Sequence, residues 1–261
     1  TQGYSSAASD VYKRQGKQIM TAMIDAVRRK EASGMVERFS HHSFLTLRLC
    51  GNICCGCVIR DEYSQETVEL PGDAVIVATG GMHGLFGNTT GSLSNTGEVT
   101  AELFRLGVPL ANGEMIQYHP TTVKCGGKRM LISEAARGEG GRLFAMKDGK
   151  QWYFMEEKYP ELGNLMPRDI TAREIWKVSH ESEVFLDMTE ISEEIISNKL
   201  SGLADDCMTY LHKDIRKEPV SVLPGIHYFM GGILVDEQHR TPIQNLYAAG
   251  ECCAPVSYTH L

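Results

Sequence analysis

The feature that most constrains the fold is an uninterrupted apolar run at residues 74–78, which leads directly into Thr79, Gly80 and Gly81. A run of small and β-branched residues without polar alternation is typical of a strand that is buried on both faces of a sheet. Open α/β sheets bind ligands at the carboxyl ends of such strands, where glycines let the backbone come close to the ligand. The same residues also fit a buried strand followed by an ordinary flexible turn, and the run alone leaves both interpretations open.

The rest of the chain predicts an α/β body with a more helical insertion. Apolar side chains recur at helical spacing from Gly16 towards Gly34, whereas residues 1–15 show neither period and fit no element. Strands are predicted at 45–49, 54–60, 67–70, 184–187, 233–235 and 246–250, and further helices at 98–106, 168–178, 190–200 and 203–213. The expected fold class is therefore α/β with an α+β insertion.

Charge and cysteine content argue against several classes of protein. The chain has 26 Lys and Arg against 33 Asp and Glu, a formal net charge of −7, so a nucleic-acid binder with a basic face is not expected. No apolar run reaches the roughly 18 residues of a membrane-spanning helix, and the first residues lack the pattern of a secretory signal. The eight cysteines are not spaced like a disulfide scaffold, so we expect a reducing, cytoplasmic setting without direct membrane insertion.

Four short clusters carry residues suited to chemistry. They are QYHPT at 117–121, SEAARGEGG at 133–141, PRD at 167–169 and HYFMGG at 227–232. Each has an ordinary explanation by itself, since a lone histidine is usually structural, an Arg-Gly-Glu turn is usually a weak surface ion pair and a Gly-Gly pair is usually a turn. The order of the clusters is more informative than any one of them.

Together the clusters resemble the flavoprotein subunit of succinate dehydrogenase and fumarate reductase. The shared order is ATGG, QYHPT, SEAARGEGG, PRD, HYFMGG and LYAAGE, over about residues 16–254, and the related L-aspartate oxidases have it too. Phe229-Met230 and the complete RGEGG run are similar to the dicarboxylate dehydrogenase branch, and L-aspartate oxidase is the alternative. The resemblance implies an FAD-dependent enzyme that interconverts succinate and fumarate by hydride transfer at the flavin N5.

The resemblance also implies which residues bind a four-carbon dicarboxylate. His119 and His227 are expected to hydrogen-bond its carboxylates. Ser133 and Glu134 stand where the family has a Thr-Glu pair, and serine keeps the hydroxyl group. These four residues are the expected substrate-binding set.

Proton transfer is expected to depend on an arginine. Arg168 matches the arginine that the family uses as general acid, and Glu134 and Arg137 match the relay that restores its proton. Guanidinium is not normally deprotonated, so this role requires a dry site and a clamped substrate. The alternative is that Arg168 serves only as an electrostatic clamp, since its fork of donors binds carboxylates bidentately.

FAD is the cofactor that the resemblance implies. The expected flavin contacts are Ala78, Thr79, Gly80, Gly81 and Glu251, the last of which matches a glutamate on the ribityl chain. Residues 95–97 fit a further flavin-side loop, although this chain continues with Glu98 and Val99 where the family usually has Asp and Gly. No strand, Gly-x-Gly-x-x-Gly turn and helix precede them, so we expect a partial Rossmann-like domain.

The same resemblance divides the chain into segments. Residues 16–118 and 226–254 are expected to form the partial FAD-binding domain, interrupted by a capping domain at 119–225 that closes over the substrate. Residues 1–15 and 255–261 contain SSAASDVYKRQ and VSYTHL, which look like translated sequencing adapter, and are expected to be non-native flanks of an internal fragment. A genuine variable tail is the alternative. Such a fragment is expected to bind FAD poorly and to be inactive by itself.

The remaining expectations concern partner proteins and two other classes of protein. Relatives in respiratory complexes dock an iron–sulfur subunit, which would place the protein at the inner face of a membrane through its partners, whereas soluble relatives use other electron carriers. A zinc module is disfavoured because Cys50, Cys54, Cys55 and Cys57 do not form two separated pairs, and no metal is expected. A non-catalytic folded capping fragment is the remaining alternative.

Overall fold

The computed structural model describes residues 3–255, with side chains for residues 18–254. The helices are α1 (Gly3–Ala32), α2 (Glu98–Arg105), α3 (Glu134–Gly138), α4 (Phe154–Lys158), α5 (Arg168–Val178), α6 (Glu193–Lys199) and α7 (Ser201–Leu211). The strands are β1 (His42–Cys50), β2 (Ile53–Asp61), β3 (Thr67–Pro71), β4 (Val75–Val77), β5 (Leu110–Ala111), β6 (Ile116–Cys125), β7 (Lys128–Leu131), β8 (Arg142–Lys147), β9 (Lys150–Trp152), β10 (Val184–Asp187), β11 (Val220–Ser221), β12 (Leu223–Phe229), β13 (Gly232–Val235), β14 (Leu246–Ala248) and β15 (Cys253–Pro255).

Helix α1 begins earlier than the sequence predicts. It begins at Gly3 rather than near Gly16, so the expectation that residues 1–15 fit no element is wrong for the described part of that segment. Apolar periodicity is not required for a helix, because Ala, Lys, Arg and Gln favour helical backbone and an existing helix extends at small cost. Of the expected non-native flanks, residues 1–2 and 256–261 lie outside the described residues.

The predicted strand meander is confirmed. Strands β1, β2 and β3 form an antiparallel sheet in that order. Cys50 pairs with Ile53 across the Gly51-Asn52 turn, and Leu47, from the apolar side of the alternation, is buried. The period of two in the sequence therefore determines which face of β1 is covered.

The expectation that β4 is buried on both faces is wrong. β4 pairs in parallel with β14, with Val75 opposite Leu246 and Val77 opposite Ala248. Val77 is 5% exposed, whereas Ile76 is 68% exposed. Successive side chains of a strand point to opposite faces, and in the described part of the chain this two-stranded ladder is covered on one face only.

Strands β12, β6 and β7 form a second antiparallel sheet, in that order. Gly225 on β12 lies opposite His119 on β6, and the register shifts between Ile226 and Tyr228. Such an irregularity turns a side chain relative to the regular strand, and here the residue inside it is His227. The sheet therefore places two histidines on adjacent strands.

Buried apolar side chains form two clusters among the described residues. The first contains Val123, Leu143, Ile175, Leu186 and Val222, and the second contains Leu47, Val77, Leu103, Ile233 and Leu246. β6 contributes Val123 to the first cluster, and β12 runs into β13, which contributes Ile233 to the second. Strands β6 and β12 thus connect the two clusters. Within residues 3–255, no helix is long and apolar enough to cross a membrane.

Candidate active site

Two imidazoles meet where β6 and β12 pair. The ring centroids of His119 and His227 are 5.5 Å apart, and the ring planes are inclined at 75°. His119 is 1% exposed, and His227 is half-buried. The structure thus brings together two residues that lie more than one hundred positions apart in the sequence.

The His119 ring is held neutral at physiological pH. Burial, reinforced by the nearby Arg168 guanidinium and by His227, lowers the pKa of His119 to about 4. Its Nδ1 lies 3.3 Å from the Thr121 N–H, which donates to it, and 3.1 Å from the Thr121 carbonyl oxygen. A neutral imidazole has one N–H. The Nδ1–H tautomer donates to the Thr121 carbonyl and leaves Nε2 as an acceptor, whereas the tautomer whose Nδ1 accepts from the Thr121 N–H presents an Nε2–H donor to a ligand.

His227 is oriented by a hydroxyl group. Its Nδ1 lies 3.0 Å from Thr90 Oγ1. Burial, and next the charge of Arg168, lower its pKa, whereas the Glu251 carboxylate acts in the opposite direction. The two histidines therefore share a mainly neutral, partly desolvated environment.

Arg168 lies at the first residue of α5, directly after Pro167. Its Nε and Nη2 donate to Oε1 and Oε2 of Glu134 at 2.8 and 3.0 Å, and its Nη1 donates to Gln117 Oε1 at 2.8 Å. The hydrogen bonds from Arg168 lower the pKa of Glu134, which keeps the carboxylate ionised. A cation at a helix N-terminus is unfavourable by itself, and the bidentate carboxylate compensates for it.

Arg137 makes the second contact with the same carboxylate. Its Nη2 donates to Glu134 Oε1 at 3.2 Å and its Nη1 donates to the Asn164 carbonyl at 2.6 Å. The side chain is 3% exposed, its Nε has no hydrogen-bond partner, and burial lowers its pKa. Ser133, which precedes Glu134, is exposed and caps α3 by accepting a hydrogen bond from the Ala135 N–H.

The glycine turn after β4 lies against the Glu251 side chain. A Cβ atom added to Gly81 would be 2.5 Å from Glu251 Oε1. Gly80 has φ of +72°, a left-handed conformation that favours glycine, and an added Cβ would meet Asn95 Nδ2 at 2.8 Å. The turn thus depends on both glycines, and both line an adjacent cavity.

A cavity of about 320 Å³ opens beside this turn. Its lining includes Thr79, Gly80, Gly81 and the 94–97 loop, so the structure brings most of the expected flavin contacts together. Ala78 and Glu251 are not part of the lining. The bare backbone, polar loop and adjacent carboxylate fit a flat cofactor with a polyhydroxylated chain.

A larger cavity, of about 1090 Å³, lies on the outer side of Arg168 and Gln117. Phe86 and Trp176 contribute apolar walls. His119, Glu134 and His227 are not among its lining residues. Arg168 thus contacts Glu134 and also lines this cavity, whose walls are both polar and apolar.

The structure brings to this region several residues that the sequence motifs do not indicate. Gln117 precedes His119 by two positions on β6, so the period of a strand could have placed both side chains on one face. Thr90, Asn164 and His83 lie in loops or short turns whose approach has no periodic signal. Among the described residues, no three His, Cys, Asp or Glu side chains are grouped so that they could hold a metal ion.

Fold and site together define a class of protein. A parallel strand that ends on a glycine turn, with a carboxylate and an open cavity beside it, is the arrangement by which α/β proteins bind nucleotide cofactors. More narrowly, residues 3–259 match the family described as FAD binding domain. The chain belongs to this family, its cofactor is FAD, and the predicted α/β class is confirmed.

The relatives are FAD-dependent oxidoreductases of the kinds that the sequence motifs indicate. The chain is 41% identical over 246 residues to the succinate dehydrogenase flavoprotein subunit of Bacillus subtilis, covering 91% of this chain and 42% of that protein. It is 32% identical to the L-aspartate oxidase of Clostridium perfringens, covering 90% of this chain and 52% of that enzyme. A solved structure of E. coli quinol fumarate reductase superposes with a TM-score of 0.75 at 29% identity, covering 85% of this chain and 40% of that chain. The chain thus spans about half the length of these relatives, and the predicted resemblance is confirmed.

Proposed function

We propose that this chain forms the substrate side of an FAD-dependent enzyme that interconverts succinate and fumarate. The observation that carries the proposal is the convergence of His119, His227, Glu134 and Arg168 around one partly buried point. The 41% identity to the Bacillus subtilis succinate dehydrogenase flavoprotein subunit supports this branch, since the L-aspartate oxidases that match are 31–34% identical.

The proposed substrate is a dianion. The proposed site offers it hydrogen-bond donors that the fold holds in place. Neutral His119 and His227 bind one or both carboxylates through their N–H groups, and the Ser133 hydroxyl adds a donor at the start of α3. Burial strengthens the hydrogen bonds of the two histidines because water competes less in a low-dielectric site. The His119 ring stays neutral as pH falls to near 5, since its pKa is about 4.

Proton transfer is proposed to run through Arg168. When bound, FAD supplies the hydride chemistry at one substrate carbon. Arg168 donates the proton to the neighbouring carbon in the direction of fumarate reduction and recovers it through Glu134 from Arg137. The bidentate contact at 2.8 and 3.0 Å holds the guanidinium in the orientation that this step needs. An electrostatic clamp at Arg168 without proton transfer is the alternative.

The flavin side and the segment roles are proposed on the same basis. Ala78, Thr79, Gly80, Gly81 and Glu251 contact FAD, and residues 119–225 act as a cap that excludes water. The whole protein is proposed to pass electrons through an iron–sulfur subunit and to meet a membrane through its partners. This chain by itself is proposed to have little activity, so binding is the more direct test of its site.

The binding test uses NMR of the histidine C2–H protons during additions of fumarate, succinate and L-aspartate. We expect the two dicarboxylates to shift the His119 and His227 signals saturably. Arg168→Gln should weaken the binding at least tenfold, which is the order of a lost charge-assisted bidentate contact. Arg173→Gln, on the exposed side of the same helix, is the matched control. A response to L-aspartate alone would favour the oxidase, and no response to any of the three acids would contradict the proposed site.

The proposed role of Arg168 as general acid is tested in the whole protein that contains this chain. A general acid contributes roughly 10²–10⁴ to the rate, so Arg168→Gln should lower the rate of fumarate reduction by that factor. Chemical rescue of Arg168→Ala by added guanidinium and amine cations separates the alternatives, because general acid catalysis depends on the pKa of the added acid. A rescued rate that does not vary with the pKa of the added cation would support the clamp and contradict proton transfer.

A further inference from the structure

His83 is a buried histidine that the proposed reaction does not use. It lies directly after the glycine turn and is 3% exposed. Its ring meets the Phe229 ring edge to face, with 5.1 Å between the centroids. Gly91 passes so closely over the imidazole that an added Cβ would come within 2.3 Å of a ring atom. The ring is therefore fixed on both sides.

Both nitrogens of this ring have polar partners. Nε2 lies 2.9 Å from Glu251 Oε1, and Nδ1 lies 2.7 Å from Thr89 Oγ1. An ionised carboxylate only accepts hydrogen bonds, so the imidazole must donate through Nε2–H. In a neutral ring Nδ1 then accepts from the Thr89 hydroxyl.

The same carboxylate oxygen receives a second donor. The Phe229 N–H donates to Glu251 Oε1 at 2.9 Å. Since Gly81 leaves only the space of a hydrogen atom beside this oxygen, the two donors set where the carboxylate lies relative to the glycine turn. Glu251 is 22% exposed, so its other oxygen can still face a ligand.

Thr89 and Thr90 lie between His83 and the imidazole pair. The Thr89 hydroxyl has one hydrogen and gives it to His83 Nδ1, so its 3.3 Å approach to the Ile226 carbonyl is a contact between two acceptors, and that carbonyl accepts from the Thr90 N–H at 2.9 Å. Thr90 Oγ1 in turn contacts His227 Nδ1 at 3.0 Å. The titratable groups that His83 faces are Glu251, on the turn before β15, and His227, on β12.

We infer that His83 is a positioning residue for FAD binding, which fixes the Glu251 carboxylate beside Gly81. The inference rests on the proposed contact between Glu251 and the flavin. His83 is 3% exposed and contacts Glu251 through Nε2, so the inference assigns its effect on FAD binding to Glu251.

A double-mutant cycle measures this dependence. FAD affinity is followed by flavin fluorescence quenching in the whole protein that contains this chain, for the parent, His83→Leu, Glu251→Gln and the double variant. We expect His83→Leu to raise the FAD Kd about tenfold in the parent chain and less than about twofold in the Glu251→Gln chain. His83→Gln keeps an N–H near the position of Nε2 and should stay within about threefold of the parent. His180→Leu, an exposed histidine after α5, is the control.

Each outcome separates the two proposals. An equal effect of His83→Leu in both backgrounds, or no effect in either, overturns the positioning role. An unchanged FAD affinity in Glu251→Gln overturns the flavin contact of Glu251 instead. Thermal unfolding of all variants shows whether a loss of affinity follows from a loss of folding, and the Gln variant decides the matter if Leu does not fold.

A second measurement needs no bound cofactor. Imidazole nitrogen NMR of the parent chain should show His83 as the Nε2–H tautomer, and Glu251→Gln should shift this resonance while Arg173→Gln leaves it in place. A predominant Nδ1–H tautomer at His83 would overturn the proposed hydrogen bond to Glu251 whatever the FAD affinities show.

Discussion

At the scale of single residues, one carboxylate serves two arginines. Glu134 accepts hydrogen bonds from both Arg168 and Arg137, so the three side chains carry one net positive charge. That excess is suited to a dianionic ligand, because neutral imidazoles alone would leave a dianion uncompensated. The sequence could indicate these residues through their motifs, but nothing in the spacing of 133–141 and 168 predicts that one glutamate joins both guanidinium groups.

The first prediction concerns this carboxylate. Glu134→Gln leaves the buried Arg137 and the half-exposed Arg168 without their counter-charge. Because the Glu134 side chain is 42% exposed, water replaces part of the lost interaction, and we expect a stability loss of about 1–2 kcal/mol. Urea unfolding measures it, with the exposed Glu181→Gln as control. Equal midpoints for the two variants would contradict the importance of the shared ion pair.

The second prediction follows from the burial of His119. Its folded-state pKa is about 4, against 6.5 for the free side chain, so the unfolded chain takes up a proton first as pH falls. The stability that the neutral ring contributes is fully present above pH 6.5 and is lost as the pH falls towards 4. His119→Gln removes this term, so the variant should lose less stability over that interval than the parent, by on the order of 2–3 kcal/mol.

Urea midpoints at a series of pH values measure the difference. The exposed His180→Gln serves as control and should follow the parent chain. If His119→Gln and the parent have parallel pH profiles, the His119 ring is not held neutral by the fold.

At the scale of elements, sequence periodicity predicts the bounds of a helix or strand correctly where one face of it is buried. The predicted bounds of α5 and of β10 agree with the structure, because each has one apolar face on the first buried cluster. β4 fails the same test, since its apolar pattern predicts cover on both faces and Ile76 is exposed. The local sequence pattern indicates the environment that a side chain favours. Its actual burial depends on which other elements pack against the strand.

Close contact between two backbone segments that are distant in the sequence is a further property that the local sequence pattern does not predict. Gly231, between β12 and β13, has no unusual φ, yet an added Cβ would lie 1.9 Å from the Asn112 carbonyl oxygen. Asn112 follows β5, more than one hundred residues earlier in the sequence. The glycine pair at 231–232 reads locally as a turn, but the structure uses its first member for close contact between distant segments.

The third prediction tests this contact. Gly231→Ala forces β12 and the segment after β5 apart, because the clashing atom is backbone and cannot rotate away. We expect a stability loss of about 1–3 kcal/mol, the range typical of overpacking. Gly113→Ala is the control, since no atom lies within 4 Å of its added Cβ. Thermal unfolding compares the two, and equal melting temperatures would show that the close approach is not required.

At the scale of the whole molecule, the candidate site lies on the strands that connect two buried clusters. The imidazole pair is carried by β6 and β12, whereas Glu134 and Arg168 begin helices whose partners include the first cluster. The glycine turn and the 94–97 loop adjoin elements of the second cluster. A movement of one cluster relative to the other would thus change the distance between the substrate side and the flavin side, which is the property expected of a capping domain.

The last prediction asks whether the two clusters unfold as separate units. Ile175 and Leu103 are each fully buried, in the first and the second cluster respectively, and truncation to alanine at either site should cost about 2–5 kcal/mol. If the clusters are separate cooperative units, Ile175→Ala should accelerate amide hydrogen exchange in α5 and β8–β10, while Leu103→Ala should accelerate it in α2, β13 and β14.

Peptide-resolved exchange mass spectrometry distinguishes this from a single unit, in which either truncation would raise exchange across both sets of elements. Accelerated exchange of β6 and β12 in both variants fits either case, because these strands belong to the connection between the clusters. The discriminating signal is therefore α2 in Ile175→Ala: unchanged protection there supports a cap that can move as a body, and lost protection contradicts it.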